Sequence, residues 1–185
     1  MRNARYPISN CDFCESQDDF PVVVVSRGNP LAILMVIGEA PGAIEEKTGK
    51  PFVGRSGKLL DILLDDVGIN PDQDVYFCNV VKCRPPKNRR PKREEIEASL
   101  PWLNQQIFLV NPHVIILTGA TAVESVLGLD QAMTSLRGTW QNWKGRLVMP
   151  VFHPSYLLRN RTAMSLAWKD FRMIASLAFG NNDKI

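Results

Sequence analysis

No part of this chain is apolar for long enough to cross a bilayer. The longest runs, Ile33–Ile37 among them, fall far short of the roughly 18–20 residues a span requires. The opening residues, Met1 to Pro7, carry no apolar core, so no secretory signal is read and a cytoplasmic location is expected. Internal repeats, low-complexity tracts and linkers are absent too. One domain over 1–185 is therefore expected, with an N-terminal segment at 1–30 and a frayed tail at 180–185. Cysteine is scarce, with four in 185 residues, but a chain of this length that is 45% hydrophobic can bury a full core without disulfides.

Nor does one sign of charge dominate. A net charge of +3 says little about partners. Acid is missing only locally: Lys82, Arg84, Lys87, Arg89, Arg90, Lys92 and Arg93 follow one another with no Asp or Glu among them. Such a segment is either phosphate-facing or a solvated loop. Two of the cysteines, Cys11 and Cys14, form a CxxC, which in a reducing compartment points to metal or redox chemistry more than to a structural disulfide.

What is present is a series of apolar runs spaced as strand, helix, strand. Ala32–Ile37, Asp74–Val81, Val114–Thr118 and Arg146–Phe152 read as strands. Arg55–Val67, Arg93–Leu109, Gly119–Leu127 and Met164–Leu177 read as helices, with Pro101 expected to kink or split the second. The alternation implies an α/β fold with a mostly parallel sheet, whose ligands bind beyond the carboxyl ends of the strands. That rule selects the loops Gly38–Gly54, Asn79–Pro91, Gly119–Ala122 and His153–Arg159.

The first of these, GEAPGAIEEKTGKPFVG, is too rich in glycine to be expected as a helix and too long for a turn. Gly38 to Gly42 could turn backbone amides toward an anion or a carbonyl oxygen. Phe52 could lie against a planar ring, or anchor the loop to the core. The stretch Gly49–Ser56 is one residue from a phosphate-loop pattern. Arg55 stands where that motif has lysine, Pro51 removes an amide donor, and the preceding strand ends too early, so nucleotide triphosphate binding is rejected. Asn79, at the end of an apolar strand, can donate and accept at once, as one edge of a pyrimidine requires; a turn-capping role is the alternative. His153 stands where the fourth strand ends. Leu157 and Leu158 follow it in a polar loop closed by Arg159, placed either as a duplex wedge or as the start of a buried helix. His113, after Pro112, reads as a surface residue.

Taken together, GEAPGAIEE, KPFVG, FCNVVKCRPP and HPSYLLR resemble the family-four uracil-DNA glycosylases, the bacterial and archaeal class that carries an iron–sulfur cluster. The likeness runs from Cys11 to about Phe171. It implies a three-layer α/β/α fold on a four-stranded parallel sheet, and excision of uracil from DNA without a catalytic metal. By similarity, Phe52 would stack on the flipped uracil within the loop carrying Gly38 and Gly42, and Asn79 would bond its pyrimidine edge. His153 would donate to the uracil O2, with backbone amides of Glu39 and Ala40 nearby. Ser155, Leu157, Leu158 and Arg159 would meet the DNA and fill the gap left in the stack, and Lys82 and Arg84 would face phosphates. Other glycosylases of this superfamily hold water with a carboxylate where Ala40 stands, which leaves Glu45 as the nearest group to orient water and Glu39 as a second.

The same resemblance implies a 4Fe-4S cluster on Cys11, Cys14, Cys83 and a fourth cysteine about sixteen residues later. Ser99 occupies that position here. Iron–sulfur clusters generally use four thiolates. The site could therefore use Ser99 or water, hold three irons, or be empty or zinc-bound. Cys78 is expected to face the core. Uracil-containing DNA is the expected partner, with no membrane, no obligate protein partner and a monomer as the default. A DNA-binding relative without catalysis, and a glycosylase for another deaminated base, remain as other readings of the sequence.

Overall fold

The structure, a computed structural model, describes residues 22–180. Cys11, Cys14, most of the 1–30 segment and the tail after Gly180 lie outside the described residues. Among the described residues six strands form one sheet in the order β1-β3-β2-β4-β6-β5. Its centre is the expected parallel set of four: β2 (Leu34–Gly38), β3 (Val75–Asn79), β4 (Val114–Thr118) and β6 (Arg146–Val151). Two short antiparallel strands close its edges, β1 (Arg27–Gly28) on β3 and β5 (Gln141–Trp143) on β6. The sequence reading counted four strands because two- and three-residue edge strands carry no alternation to detect.

β2, β3 and β4 are buried along their whole lengths, as strands covered on both faces should be. Alternate residues feed two cores. Leu34, Val36, Val75 and Phe77 face α2 (Arg55–Asp65) and α7 (Met164–Phe179), which contribute Leu60, Leu63, Leu64, Ala167, Phe171 and Ile174. Met35, Ile37, Tyr76 and Cys78 face α3 (Arg93–Val110) and α4 (Ala120–Leu127), which contribute Leu103, Ile107, Ala122, Val123 and Val126. The result is the expected three-layer α/β/α sandwich.

Three helical expectations change. Pro101 neither splits nor ends α3, which runs unbroken for 18 residues; one missing main-chain donor is offset by the packing of Leu103 and Ile107 beyond it. The glycine-rich loop does hold a helix, α1 (Ala43–Thr48). Its glycines punctuate rather than prevent it: Gly42 precedes it in extended backbone, and Gly49 ends it at φ 68°. HPSYLLR is also a helix, α6 (Pro154–Arg159), with proline at its first position. A four-residue helix, α5 (Met133–Leu136), precedes β5.

Candidate active site

The carboxyl ends of β2, β3 and β6 open into a cavity of about 390 Å³. Glu39, Ala40, Gly42, Glu45, Phe52, Asn79, His153, Ser155 and Arg159 all line it, so nine of the site residues expected from sequence meet in one place. Two main-chain bonds zip its roof: Val80 N–H donates to the Gly38 carbonyl at 2.9 Å, and Val81 N–H to Glu39 at 3.0 Å. The loops after β2 and β3 are thereby fixed to each other.

Phe52 is buried and sits at φ 55°, in the left-handed region non-glycine residues seldom adopt. Its ring lies 5.7 Å from that of Phe77, tilted by 51°. Behind it, Gly57 in the first turn of α2 approaches so closely that a Cβ there would stand 1.8 Å from the Phe52 carbonyl oxygen. Asn79 is also buried, and its side-chain amide has no hydrogen-bond partner among the described residues. The amide is open to the cavity, with donors and acceptor available to a guest there.

His153 caps α6. Its Nδ1 accepts from the Ser155 backbone N–H at 3.1 Å and lies 2.7 Å from the Ser155 hydroxyl. An Nδ1 that accepts leaves the ring proton of the neutral form on Nε2. Burial pushes the His153 pKa below its ordinary value of 6.5, against the pull of Glu39 and with the help of Arg159. The imidazole is therefore neutral near pH 7, with an N–H to offer. Gly119, at φ 88°, lets the turn after β4 pass under it; a Cβ there would stand 3.0 Å from the His153 Cβ.

The two glutamates are held differently. Glu39 accepts from the Thr121 hydroxyl at 2.5 Å, and Thr121 in turn accepts from Arg90 Nε at 3.2 Å. Glu45 accepts from Gly54 N–H at 2.9 Å through Oε1. Its Oε2 sits where a Cβ on Gly42 would be only 2.8 Å away.

A scan against protein-family models matches residues 25–172 to the uracil DNA glycosylase superfamily. The chain belongs to that superfamily. It is 47% identical over 157 residues to a type-4 uracil-DNA glycosylase of Thermotoga maritima, covering 84% of this chain and 81% of that protein. It is 37% identical to type-4 uracil-DNA glycosylases of Sulfurisphaera tokodaii (96% of this chain, 84% of that protein) and Pyrobaculum aerophilum (90% and 88%).

Within this glycosylase fold some expected site residues move. Lys82 is buried, not phosphate-facing: its amine donates to the Asn79 carbonyl and to Gln106 Oε1, and burial lowers its pKa. Four CH₂ groups on a stem directed inward satisfy the core, which a count of basic residues cannot reveal. Arg84 donates to Glu46 at 3.0 Å and to Asn88 at 2.7 Å, which braces the basic loop onto α1. Leu157 is 1% exposed and belongs to the core under α2, so it is no wedge; Leu158, at 37%, is exposed beside Arg159. Neighbours on a helix stand about 100° apart, so the two leucines do not share a face, and the reading as the start of a buried helix holds for Leu157.

Cys78 faces the core, as expected, and Cys83 and Ser99 are buried. Among the described residues no three of His, Cys, Asp and Glu stand together as a metal site. Of the four positions expected to hold a cluster, only Cys83 and Ser99 lie within the described residues. Ser56, Gly57, Pro85 and Asn88 in the cavity wall were not singled out from the sequence, while Pro41 of the first loop and Arg89 of the basic segment also line it. Asn88 could have been suspected: asparagine tolerates left-handed backbone, and it sits at φ 54° next to Lys87, also at φ 54°. Thr121 had no signal beyond its place after β4.

Proposed function

We propose that this chain acts as a single domain to hydrolyse the N-glycosidic bond of deoxyuridine swung out of DNA, releasing uracil and leaving an abasic site for base excision repair. One observation carries the reading. A planar aromatic floor (Phe52), an unpartnered amide (Asn79) and a neutral imidazole with Nε2–H free to donate (His153) converge on one cavity.

The chemistry follows from that set. The C1′–N1 bond breaks, its electron pair leaves with the uracil, and charge spreads over N1 and O2. The oxygen of a water molecule then bonds C1′ as one of its O–H bonds breaks; that proton passes to solvent, and the uracil anion takes one up at N1. Phe52 takes the face of the ring and Asn79 its edge. His153 Nε2–H, with main-chain amides at Glu39 and Ala40, meets the charge growing on O2. Fixed donors aimed at a developing oxyanion are worth about 10²–10³ in rate each. A neutral imidazole suits this better than a cation, since it needs no proton drawn from acid solution. Ala40 offers no carboxylate. Glu45, a cavity residue anchored through one oxygen to Gly54, is the group we assign to hold water; Glu39 spends one oxygen on Thr121. Leu158 and Arg159, exposed at the rim, fill the space the flipped nucleotide leaves.

A 4Fe-4S cluster held by Cys11, Cys14, Cys83 and Ser99 fits this reading. Cys83 is buried, and Ser99, buried in α3, has a hydroxyl without a hydrogen-bond partner among the described residues. Bound there, the cluster would tie the N-terminal segment to the basic loop. No catalytic step passes through it.

The test is direct. The protein is mixed with uracil-containing oligonucleotides, single- and double-stranded, in a chelator, and abasic sites are then cleaved with alkali. Nicking at uracil is expected. Binding without nicking would leave a non-catalytic DNA-binding relative instead, and nicking at a different deaminated base alone would reassign the substrate.

A further inference from the structure

We propose that Arg27 is a positioning residue for the floor on which the base stacks, an inference that rests on the reading of Phe52 above. β1 is only two residues long, yet its register places Arg27 directly opposite Phe77 on β3. The guanidinium lies over the Phe77 ring, 3.8 Å from its centroid, within the range of a strong cation–π contact. Arg27 Nε donates to the carbonyl of Pro51 at 3.0 Å, and Nη2 donates to Asp61 on α2. The side chain is only 10% exposed.

These contacts bear on Phe52 from two directions. The Pro51 carbonyl belongs to the peptide that leads into Phe52. The Phe77 ring is the one Phe52 leans on, 5.7 Å away. Phe52 itself stands at φ 55°, a conformation that its surroundings must enforce. Gly57 presses on its carbonyl from below. Arg27 fixes the preceding carbonyl from the sheet edge, so the Pro51–Phe52 peptide is clamped between β1 and α2. A planar fork can stack on one ring while its Nε reaches a carbonyl; a lysine ammonium can do one or the other. Without the fork, the peptide is free to relax toward ordinary backbone and the Phe52 ring tilts out of the plane the base requires.

The experiment compares Arg27→Ala, Arg27→Lys, Asp61→Asn and Phe52→Ala by single-turnover excision from a uracil-containing single strand, inhibition by free uracil, and affinity for abasic DNA. Arg27→Ala and Arg27→Lys are expected to slow excision about 10- to 100-fold, the scale of a small misplacement at a reacting centre. Inhibition by free uracil should weaken in parallel while abasic DNA binds as before. Asp61→Asn removes the closer of the two ion pairs of Arg27, the other being to exposed Asp72 at 3.9 Å, but keeps the stack and the Pro51 bond, so it should lower thermal stability and spare excision. Should Arg27→Ala fail to fold, Arg27→Lys carries the test. Wild-type excision and uracil inhibition in Arg27→Lys, with Phe52→Ala inactive, overturns this proposal alone. The same follows if Asp61→Asn is as slow as Arg27→Lys, because Arg27 would then serve stability only. Full excision by Phe52→Ala overturns the stacking role and this proposal with it.

Discussion

Gly38 and Asn79 face each other in register across β2 and β3, and a Cβ added to Gly38 would stand 2.4 Å from Asn79 Oδ1 and 2.5 Å from the rim of the Phe52 ring. Gly38 is a glycine for want of space, not for its backbone angles. Gly38→Ala is therefore expected to push Asn79 and Phe52 apart. Excision should fall about 100-fold, as displaced reacting groups do. Free uracil should cease to inhibit, whereas abasic DNA, held at the rim, should still bind. Gly38→Ala with undiminished excision would show that the base lies elsewhere.

His153 and Ser155 separate two contributions. His153→Ala removes the donor to O2 and should slow excision about 10²–10³-fold with DNA affinity kept. Ser155→Ala keeps the backbone N–H on Nδ1 and loses only the hydroxyl, so the tautomer survives. Its effect should be about tenfold or less, the worth of one neutral hydrogen bond. Equal losses in the two variants would mean that the hydroxyl, not the imidazole, meets the substrate.

The depressed pKa of His153 gives a pH signature. Its value in the folded protein lies below 6.5, and burial is the first cause. In the window between the two values the unfolded chain binds more protons than the folded one, so stability rises with pH there. The contribution is fully present above about pH 6.5 and is lost as pH falls through the folded value. Thermal melts from pH 8 to 5 should show this loss on the acid side, and His153→Gln should flatten it. Excision should stay level from neutral pH down past 6.5 before it drops. A rate that climbs as pH falls toward 6 would mean that the imidazolium is the working form.

Much of this site was legible in the sequence because its chemistry sits at strand ends. Buried parallel strands are continuous apolar runs, and their last residues, Gly38, Asn79 and the turn to His153, stand out where the runs stop. What could not be read was direction. Lys82 and Arg84 look alike in a basic segment, but one points into the core toward Gln106 and the other outward to Glu46. Leu157 and Leu158 are neighbours of the same type, and only the helical turn of α6 decides which one is buried. Arg27 left no trace either. Its role depends on a two-residue strand whose pairing is set by β3, not by any local pattern.

The two leucines of α6 yield opposite outcomes. Leu157→Ala empties a place in the core beneath α2 and should cost about 2–5 kcal/mol of stability. Leu158→Ala, on the exposed side, should change stability by less than about 0.5 kcal/mol. It should instead slow excision from duplex DNA more than from single strands, because only a duplex has a stack to refill. Chemical denaturation and paired excision assays measure both. Equal loss on the two kinds of DNA would remove Leu158 from the duplex interface.

Ser99 sets the last test. If the cluster is held by three thiolates and a serine, its weakest point is that hydroxyl, a harder donor than the thiolate iron–sulfur clusters ordinarily take. Ser99→Cys should then raise the iron bound per chain and slow the bleaching of the visible band in air. Cys83→Ser should abolish the band. Excision by Ser99→Cys should match that of the unaltered protein, since the cluster lies outside the reacting set. Iron analysis and absorption of protein prepared without air decide the point. A colourless preparation from both the native chain and Ser99→Cys would mean that the cysteines serve another ligand, with zinc content as the next measurement.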